Sequence, residues 1–226
     1  MNDADGSLGD RLEAVRERIA AAEARAGRPP GSVTLVGASK GQPAERVVEA
    51  WRAGLRDFGE NRVQEAAEKI PAVDAASGPG PQWHLIGHLQ TNKARAAAQC
   101  FAILHGVDSV RLLDALAQSA RAIRVFIQVN VAGEATKHGV SPEGLPEVLE
   151  HASQLPSITV EGLMTMAPLG DRPEDARPVF RGLRKLAETH GLAGLSMGMT
   201  NDFEVAIEEG ATHVRIGRAI FGERQR

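Results

Sequence analysis

Eight short apolar segments, separated by stretches of helical composition, are the feature of this sequence that most constrains its fold. Each segment is almost continuously apolar, which is typical of parallel strands covered on both faces. Eight such strands alternating with helices in 226 residues predict an α/β fold with a single TIM-type (β/α)8 barrel. A doubly wound open sheet is the alternative. The predicted strands are Val33–Ser39, Leu55–Gly59, Trp83–Gly87, Ala102–Val107, Val125–Val131, Ile158–Met166, Gly194–Met197 and His213–Gly217.

An extra helix is predicted before the first strand. Ser7 and Asp10 resemble a capping box at its start, and Gly27 followed by two prolines ends it. Its apolar residues recur at helical spacing, and they are Leu8, Leu12, Val15 and Ile19. The helices predicted between the strands are Ala44–Ala53, Val63–Ile70, Asn92–Ala98, Val110–Ala120, Pro142–Ser153, Glu174–Thr189 and Phe203–Glu209.

Composition and charge exclude several classes of protein. The net charge is −3 and there is no basic tail, which argues against a nucleic-acid partner. The single cysteine, Cys100, can form neither an internal disulfide nor a cysteine-rich zinc site. The polar, acidic start is unlike a signal peptide, and no apolar run approaches the length of a membrane span. We therefore expect one domain over residues 1–226, located in the cytoplasm, monomeric and without a membrane partner.

Lys40 is the first candidate for chemistry, because barrel active sites lie at the C-terminal ends of the strands. Only five of the 26 basic residues are lysines, and Lys40 alone follows a predicted strand directly. Lys69 and Lys185 fall in helical segments, whereas Lys93 and Lys137 fall in loops. Partial desolvation would lower the pKa of the Lys40 amine and make it a better nucleophile toward an aldehyde. Position alone, however, favours a lysine that simply emerges into solvent.

Two glycine-containing turns after the last two strands predict a phosphate site. The eighth strand contains Arg215 and ends at Gly217-Arg218, where a short helix begins. The seventh strand contains Ser196 and leads to Thr200, which we expect to be an N-cap. Loops after strands seven and eight form the usual phosphate site of such barrels, and the N–H groups of a helix start suit an anion. Glycine in either turn is equally consistent with plain turn geometry.

The remaining candidates have simple structural explanations. His84 and His88 are four residues apart but lie on a strand and its loop, and no third metal ligand is evident, so ordinary hydrogen bonding is favoured. Asn61 ends the second strand and either faces the site or caps the next helix. Cys100 is expected to fill core space. The methionines of the sixth strand, Met164 and Met166, are expected in the core.

Several blocks of the sequence resemble the pyridoxal phosphate (PLP) homeostasis protein family, also called the YggS or proline synthetase co-transcribed family. The match runs in order over nearly the whole chain. The two strongest blocks are Leu195–Thr200 with Asp202, and Val214–Gly222. The others are Ala38–Lys40, Phe58–Asn61 with Gln64 and Glu65, Trp83–Gln90 with Asn92 and Lys93, Val129 and Asn130, Glu134 with Lys137 and Gly139, and Gly162–Met164.

The resemblance implies a barrel like the N-terminal domain of alanine racemase, with PLP held as a Schiff base on Lys40. It implies that Arg215 faces the pyridine nitrogen and that Ser196, Gly217 and Arg218 surround the phosphate. Asn61 is implied as a further pocket residue. The family is associated with PLP supply, with PLP-dependent apo-enzymes as candidate recipients, and without an established catalytic activity.

Two positions depart from the family pattern. Gly41-Gln42 stands where Thr-Lys is common, which removes a second lysine near the first. Arg218 stands where threonine or serine is common, so a guanidinium would replace a hydroxyl at the phosphate.

Three functions remain open at this point: a PLP-binding carrier or regulator, a PLP enzyme such as an amino-acid racemase, and a barrel for another phosphorylated ligand. Arginine beside the ring nitrogen disfavours the protonated ring that PLP catalysis uses as an electron sink. The chain contains no tyrosine, the residue that serves alanine racemase as its second acid, and we expect no counterpart of the racemase's second domain, because the predicted barrel continues to Arg226. We therefore expect a binding protein rather than an enzyme.

Overall fold

The computed structural model of the chain describes residues 6–78, 80–119, 121–134, 138–168 and 170–223. Eight parallel strands follow one another in chain order around a closed barrel. The predicted barrel is confirmed and the open sheet is wrong, because Val36 in the first strand pairs in register with Arg215 in the last. The strands are β1 Thr34–Ala38, β2 Asp57–Glu60, β3 Gln82–Leu85, β4 Ile103–Val107, β5 Ile123–Gln128, β6 Ile158–Met164, β7 Gly194–Ser196 and β8 His213–Ile216.

Helices follow the strands as predicted, with differences at their ends. They are α1 Leu8–Arg25, α2 Ala44–Arg52, α3 Val63–Ser77, α4 Ala94–Cys100, α5 Val110–Ala117, α6 Leu145–Ser153, α7 Arg177–Thr189, α8 Phe203–Glu208 and α9 Arg218–Phe221. Single-turn 3-10 helices, Thr91–Lys93 and Pro173–Ala176, lead into α4 and α7. The capping box of α1 is confirmed, since the Asp10 N–H donates to Ser7 Oγ and the Ser7 N–H donates to Asp10 Oδ2.

Several predicted helix ends differ from the structure, and one falls outside the described residues. Helix α3 continues through Pro71 to Ser77 instead of ending at Ile70. Proline removes one hydrogen bond there, but the burial of Val73 on the next turn favours continuation. Helix α6 begins at Leu145, after a turn over residues 142–144, rather than at the predicted Pro142. The predicted end of α5, Ala120, lies outside the described residues.

Helix α1 fixes the helices that follow the last two strands. The Arg11 Nε–H donates to the carbonyl of Ile220 in α9 at 2.9 Å. Arg18 pairs with Glu204 of α8 at 2.7 Å, and its guanidinium lies 4.6 Å from the centroid of the Phe203 ring. The predicted extra helix is therefore part of the framework beneath the two turns expected to bind phosphate. Whether one domain spans all of residues 1–226 stays a prediction, because both termini lie outside the described residues.

The barrel interior contains both an apolar cluster and a set of buried polar side chains. A small apolar cluster of Ile103, Phe126 and Met164 is separate from the main core between barrel and helices. Strands β6 and β7 approach each other closely at two glycines. A Cβ on Gly162 would lie 1.9 Å from the Gly194 carbonyl oxygen, and a Cβ on Gly194 would lie 2.8 Å from the Phe126 ring, so a side chain at either position would collide with its neighbour. The buried polar residues on the inner faces of the strands are His84, His105, Gln128, Ser196 and Arg215. No helix of the described residues is both long and apolar enough to cross a bilayer.

Candidate functional site

A cavity of about 800 Å³ opens at the C-terminal mouth of the barrel, within the size range of small-molecule sites. Lys40, Asn61, Arg215, Gly217 and Arg218 line it. They come from the ends of β1, β2 and β8, which the closed barrel brings together. Five of the six residues predicted to contact a cofactor therefore share one cavity.

Lys40 lies two residues beyond β1, on a turn that continues into Gly41. It is half-buried, and among the described lysines it alone lines the cavity. Gly41 has φ +71°, a left-handed conformation that favours glycine over the threonine common in the family. Lys93 is at the end of the 3-10 helix before α4 and outside the cavity lining. Lys137 lies outside the described residues.

A buried ion pair holds the turn that carries Lys40. The Lys69 ammonium donates to Glu60 Oε1 at 2.7 Å, to Glu65 Oε1 at 2.8 Å and to the carbonyl of Ser39 at 2.9 Å. Glu60 also accepts from the Ser39 hydroxyl at 2.8 Å. Burial raises the pKa of the Glu60 carboxyl, and the Lys69 ammonium opposes that rise. Sequence reasoning missed this cluster, although a lysine among the apolar residues of α3 and four residues after a glutamate was its signal.

Arg215 is buried in the floor of the cavity. Its Nη1 donates to Ser196 Oγ at 2.6 Å and its Nη2 donates to the Thr165 carbonyl at 3.1 Å. Burial lowers the pKa of the guanidinium to about 10, so it remains a cation at neutral pH. These two hydrogen bonds use two of the five N–H donors of the Arg215 guanidinium.

A chain of hydrogen bonds runs from Arg215 through the barrel interior to Asp57. The distances are 2.7 Å from Ser196 Oγ to His105 Nδ1, 2.9 Å from His105 Nε2 to His84 Nδ1, and 3.0 Å from His84 Nε2 to Asp57 Oδ1. The arginine can only donate and the carboxylate can only accept. When each histidine in between carries a proton on Nε2 and none on Nδ1, every link can donate toward Asp57.

Burial supports the neutral state of His105, the more deeply placed member of the chain, and of the neighbouring His213. It lowers the pKa of His105 well below its ordinary value, with the nearby His84, Arg215 and His213 adding to the shift. Burial likewise lowers the pKa of His213 to about 4. His105, His213 and Thr165 were missed by sequence reasoning, because nothing in the linear order of β4, β6 and β8 shows that they converge.

Ser196, the sixth residue predicted to contact the cofactor, lies behind Arg215. It is fully buried beneath the cavity, where it accepts from Arg215 and donates to His105. It is not among the described residues that line the cavity wall. Direct contact with a phosphate therefore stays a prediction, whereas its contact with Arg215 is part of the structure.

The turns after β7 and β8 form the opposite wall of the cavity. Thr200, Asn201 and Gly217 line it, and Gly217 precedes α9 as predicted. The prediction that Thr200 caps α8 is wrong, because the N-cap is Asp202, whose carboxylate accepts from the Met199 N–H at 2.6 Å. Helix α8 has six residues and α9 has four. Such short helices carry little macrodipole, so local N–H groups and Arg218 remain as the anion-binding features.

The other sequence candidates are placed as follows. Asn61 is not the N-cap of α3, which is Arg62, and it lines the cavity instead. Its backbone is held close to the next strand loop, since a Cβ on Gly87 would lie 2.6 Å from the Asn61 carbonyl oxygen. Met164 is buried as predicted, but Met166 lines the cavity.

The histidine pair considered as a metal site does not form, because its two members face different regions. His84 is buried inside the barrel, whereas His88 is exposed at the cavity. Cys100 is half-buried and packs against the main core.

Comparison with known proteins identifies the class of this barrel. The family described as alanine racemase, N-terminal domain, matches residues 11–225. A pyridoxal phosphate homeostasis protein from Aquifex aeolicus is 46% identical over 226 residues, covering 96% of this chain and 98% of its own. One from Pseudomonas aeruginosa is 43% identical, with 96% of each covered. The chain belongs to the alanine racemase N-terminal domain family and, within it, to the pyridoxal phosphate homeostasis proteins.

A solved structure supports the same assignment. PipY from Synechococcus elongatus PCC7942, with PLP bound, is 35% identical and superimposes with a TM-score of 0.82. The superposition covers 96% of this chain and 100% of that chain.

Proposed function

We propose that this protein binds PLP through a Schiff base on Lys40 and serves in intracellular PLP homeostasis. The observation that carries the proposal is the pairing of a lysine and a buried cation in one cavity. Lys40 and Arg215 both line it, and the volume suits a cofactor of this size. The residues present therefore fit PLP, which would supply an aldehyde for the amine, a ring nitrogen for the floor and a phosphate for the opposite wall.

Each residue of the proposed site has a distinct task. The Lys40 amine condenses with the aldehyde and releases water, while the Lys69–Glu60 pair keeps its turn in place. Arg215 faces the ring nitrogen and is oriented by Ser196 and Thr165. Gly217 and Arg218 bind the phosphate, and Asn61 closes the side of the pocket. Ser196 contributes through Arg215, and its contact with phosphate remains part of the proposal.

Reduction with borohydride after incubation with PLP should place a stable pyridoxyl group on Lys40. The half-buried amine lies in the cavity, whereas the other described lysines do not line it. Peptide mapping by mass spectrometry locates the label. Lys40→Arg should lose it, and Lys93→Arg should keep it. A label on Lys93 or Lys137 in the wild type would contradict the assignment.

We further propose that the protein holds PLP without using it for catalysis. Bound PLP acts as an electron sink when its ring nitrogen is protonated. Arg215 is held as a cation at neutral pH and disfavours a second positive charge beside it. Its bonds to Ser196 and Thr165 keep it from moving away.

Exchange of the α-proton of L-alanine in deuterated water should be slower than about 1 per second, the lower end of typical enzyme turnover. Proton NMR measures the rate with the PLP-loaded protein. Arg215→Glu should exchange faster, because a carboxylate favours the protonated ring, and reductive labelling checks that the variant is loaded. Wild-type exchange within the range of dedicated enzymes would instead establish a PLP enzyme such as a racemase.

The wider role is part of the same proposal. PLP-dependent apo-enzymes are the proposed recipients of the cofactor, and the proposed location and state are the cytoplasm and a monomer. The proposal includes no nucleic-acid or membrane partner.

A further inference from the structure

Three side chains with metal-binding atoms meet beside the cavity. His88 follows β3, Asp108 follows β4 and His138 lies in the loop after β5, so three consecutive strands deliver them to one place. Their ligand atoms all lie within 4.8 Å of one another. We propose that His88, Asp108 and His138 form a binding site for a divalent transition-metal ion such as Zn²⁺.

The chemistry of the three groups favours a transition metal. Two imidazoles and one carboxylate match the three-ligand sets that hold Zn²⁺ while leaving a fourth position open. The same set suits Fe²⁺ and Co²⁺, whereas Mg²⁺ and Ca²⁺ prefer sites made of oxygen ligands alone. Sequence reasoning paired His88 with His84 and found no third ligand. In the structure, His88 lies instead beside Asp108 and His138, which follow other strands.

The ligand atoms of the three side chains already lie close together, although the two imidazole rings do not yet point at a common centre. His88 Nδ1 lies 3.3 Å from Asp108 Oδ2. The rings of His88 and His138 are stacked, with centroids 3.9 Å apart and an angle of 10° between their planes. A nitrogen lone pair lies in the plane of its ring, so the rings must turn out of this stacked arrangement before both nitrogen atoms can point at one ion.

Only small side-chain movements separate this arrangement from a coordination shell. Bonds of about 2.0–2.2 Å in tetrahedral geometry place ligand atoms roughly 3.3–3.6 Å apart. The side chain of His88 is 37% exposed and that of Asp108 is 14% exposed, and His138 is exposed. His88 and His138 can rotate toward the less exposed Asp108 without disturbing core packing, so the ligand atoms can contract by about 1 Å around an ion.

The open coordination position would lie on the cavity side. His88 and His138 both line the cavity that contains Lys40. An ion held there would add a positive charge and a Lewis-acid centre next to whatever the cavity binds, and its fourth ligand would be water or an anionic group of that molecule. The metal site rests on its own three residues and does not require PLP to bind.

The test is a Zn²⁺ titration of protein stripped with a chelator, followed by competition with a chromophoric chelator. We expect one ion per chain, with affinity reduced at least about tenfold in His138→Ala and in Asp108→Asn. Co²⁺ should give a visible absorption spectrum that both substitutions remove. Urea unfolding checks that these exposed substitutions leave the fold intact.

His151→Ala provides a matched control. His151 also pairs with a carboxylate, at 2.7 Å from Asp114, but it belongs to no three-ligand group among the described residues. It should bind Zn²⁺ like the wild type. The proposal is overturned if the wild type binds no Zn²⁺, if His138→Ala and Asp108→Asn bind it unchanged, or if His151→Ala weakens binding equally, which would indicate adventitious surface binding.

Discussion

Lys69→Met is expected to lower the free energy of unfolding by about 3–5 kcal/mol, the usual cost of leaving a buried charge without its partner. Lys69 is 8% exposed and Glu60 is fully buried. Without the ammonium, Glu60 must either stay charged in the barrel wall or take up a proton. The carbonyl of Ser39 also loses a donor, which loosens the turn of Lys40. Urea unfolding at neutral pH measures the change.

Lys185→Met is the matched control, because Lys185 is exposed on α7 and its loss should cost less than about 0.5 kcal/mol. Adding Glu60→Gln to Lys69→Met should recover part of the stability, since a neutral amide needs no cation. A loss in Lys69→Met no larger than the control, or no recovery in the double variant, would show that the buried ion pair does not anchor the turn.

PLP should bind at least about a hundredfold more tightly than pyridoxal, which has the same ring and aldehyde but no phosphate. Charge-assisted hydrogen bonds contribute about 1.5–3 kcal/mol each, so losing two costs at least about 3 kcal/mol. The donors are the Arg218 guanidinium and the N–H groups of Arg218 and Ala219 at the start of α9, because those of Ile220 and Phe221 already donate to the Gly217 carbonyl. Absorbance titrations with both aldehydes measure the ratio.

The contribution of Arg218 can be separated from that of the backbone. Arg218→Gln should reduce the preference for PLP, whereas Arg52→Gln, an equally exposed change on α2, should not. Equal affinity of the wild type for PLP and pyridoxal would contradict the proposal that the turns after β7 and β8 bind the phosphate.

The barrel could be predicted from the sequence because each strand is marked by its own run of apolar residues. Runs such as Val125–Ile127 carry apolar residues at consecutive positions and hence on both faces, and parallel strands are the structure that buries both faces. Lys40 and Gly217 could be assigned to the cavity because each stands at the end of a predicted strand, and barrel sites lie at the C-terminal ends of the strands. Helix ends were less predictable: Pro71 is a local stop signal, and the burial of Val73 outweighs it.

The inner polar network could not be read from the sequence. His105 lies in an apolar strand and looks like a core histidine until β7 places Ser196 beside it. Thr165 contributes a carbonyl, a group that every residue has. The contact between Ser196 and Arg215 was missed for a related reason, since family resemblance points to the neighbourhood of Ser196 but not to the direction of its hydroxyl.

The hydrogen-bond chain from Arg215 to Asp57 couples the electrostatic potentials at the two mouths of the barrel. Because all its links point the same way, their dipoles add, and each bond polarises the next. Asp57 begins β2 at the N-terminal mouth, with 20% of its side chain exposed, while Arg215 belongs to the cavity at the other mouth. The negative end of this aligned column is therefore in contact with solvent, and its positive end is the guanidinium in the cavity floor. A change of charge at the solvent end, such as the substitution Asp57→Asn, alters the electrostatic potential in the cavity without replacing any residue that lines it.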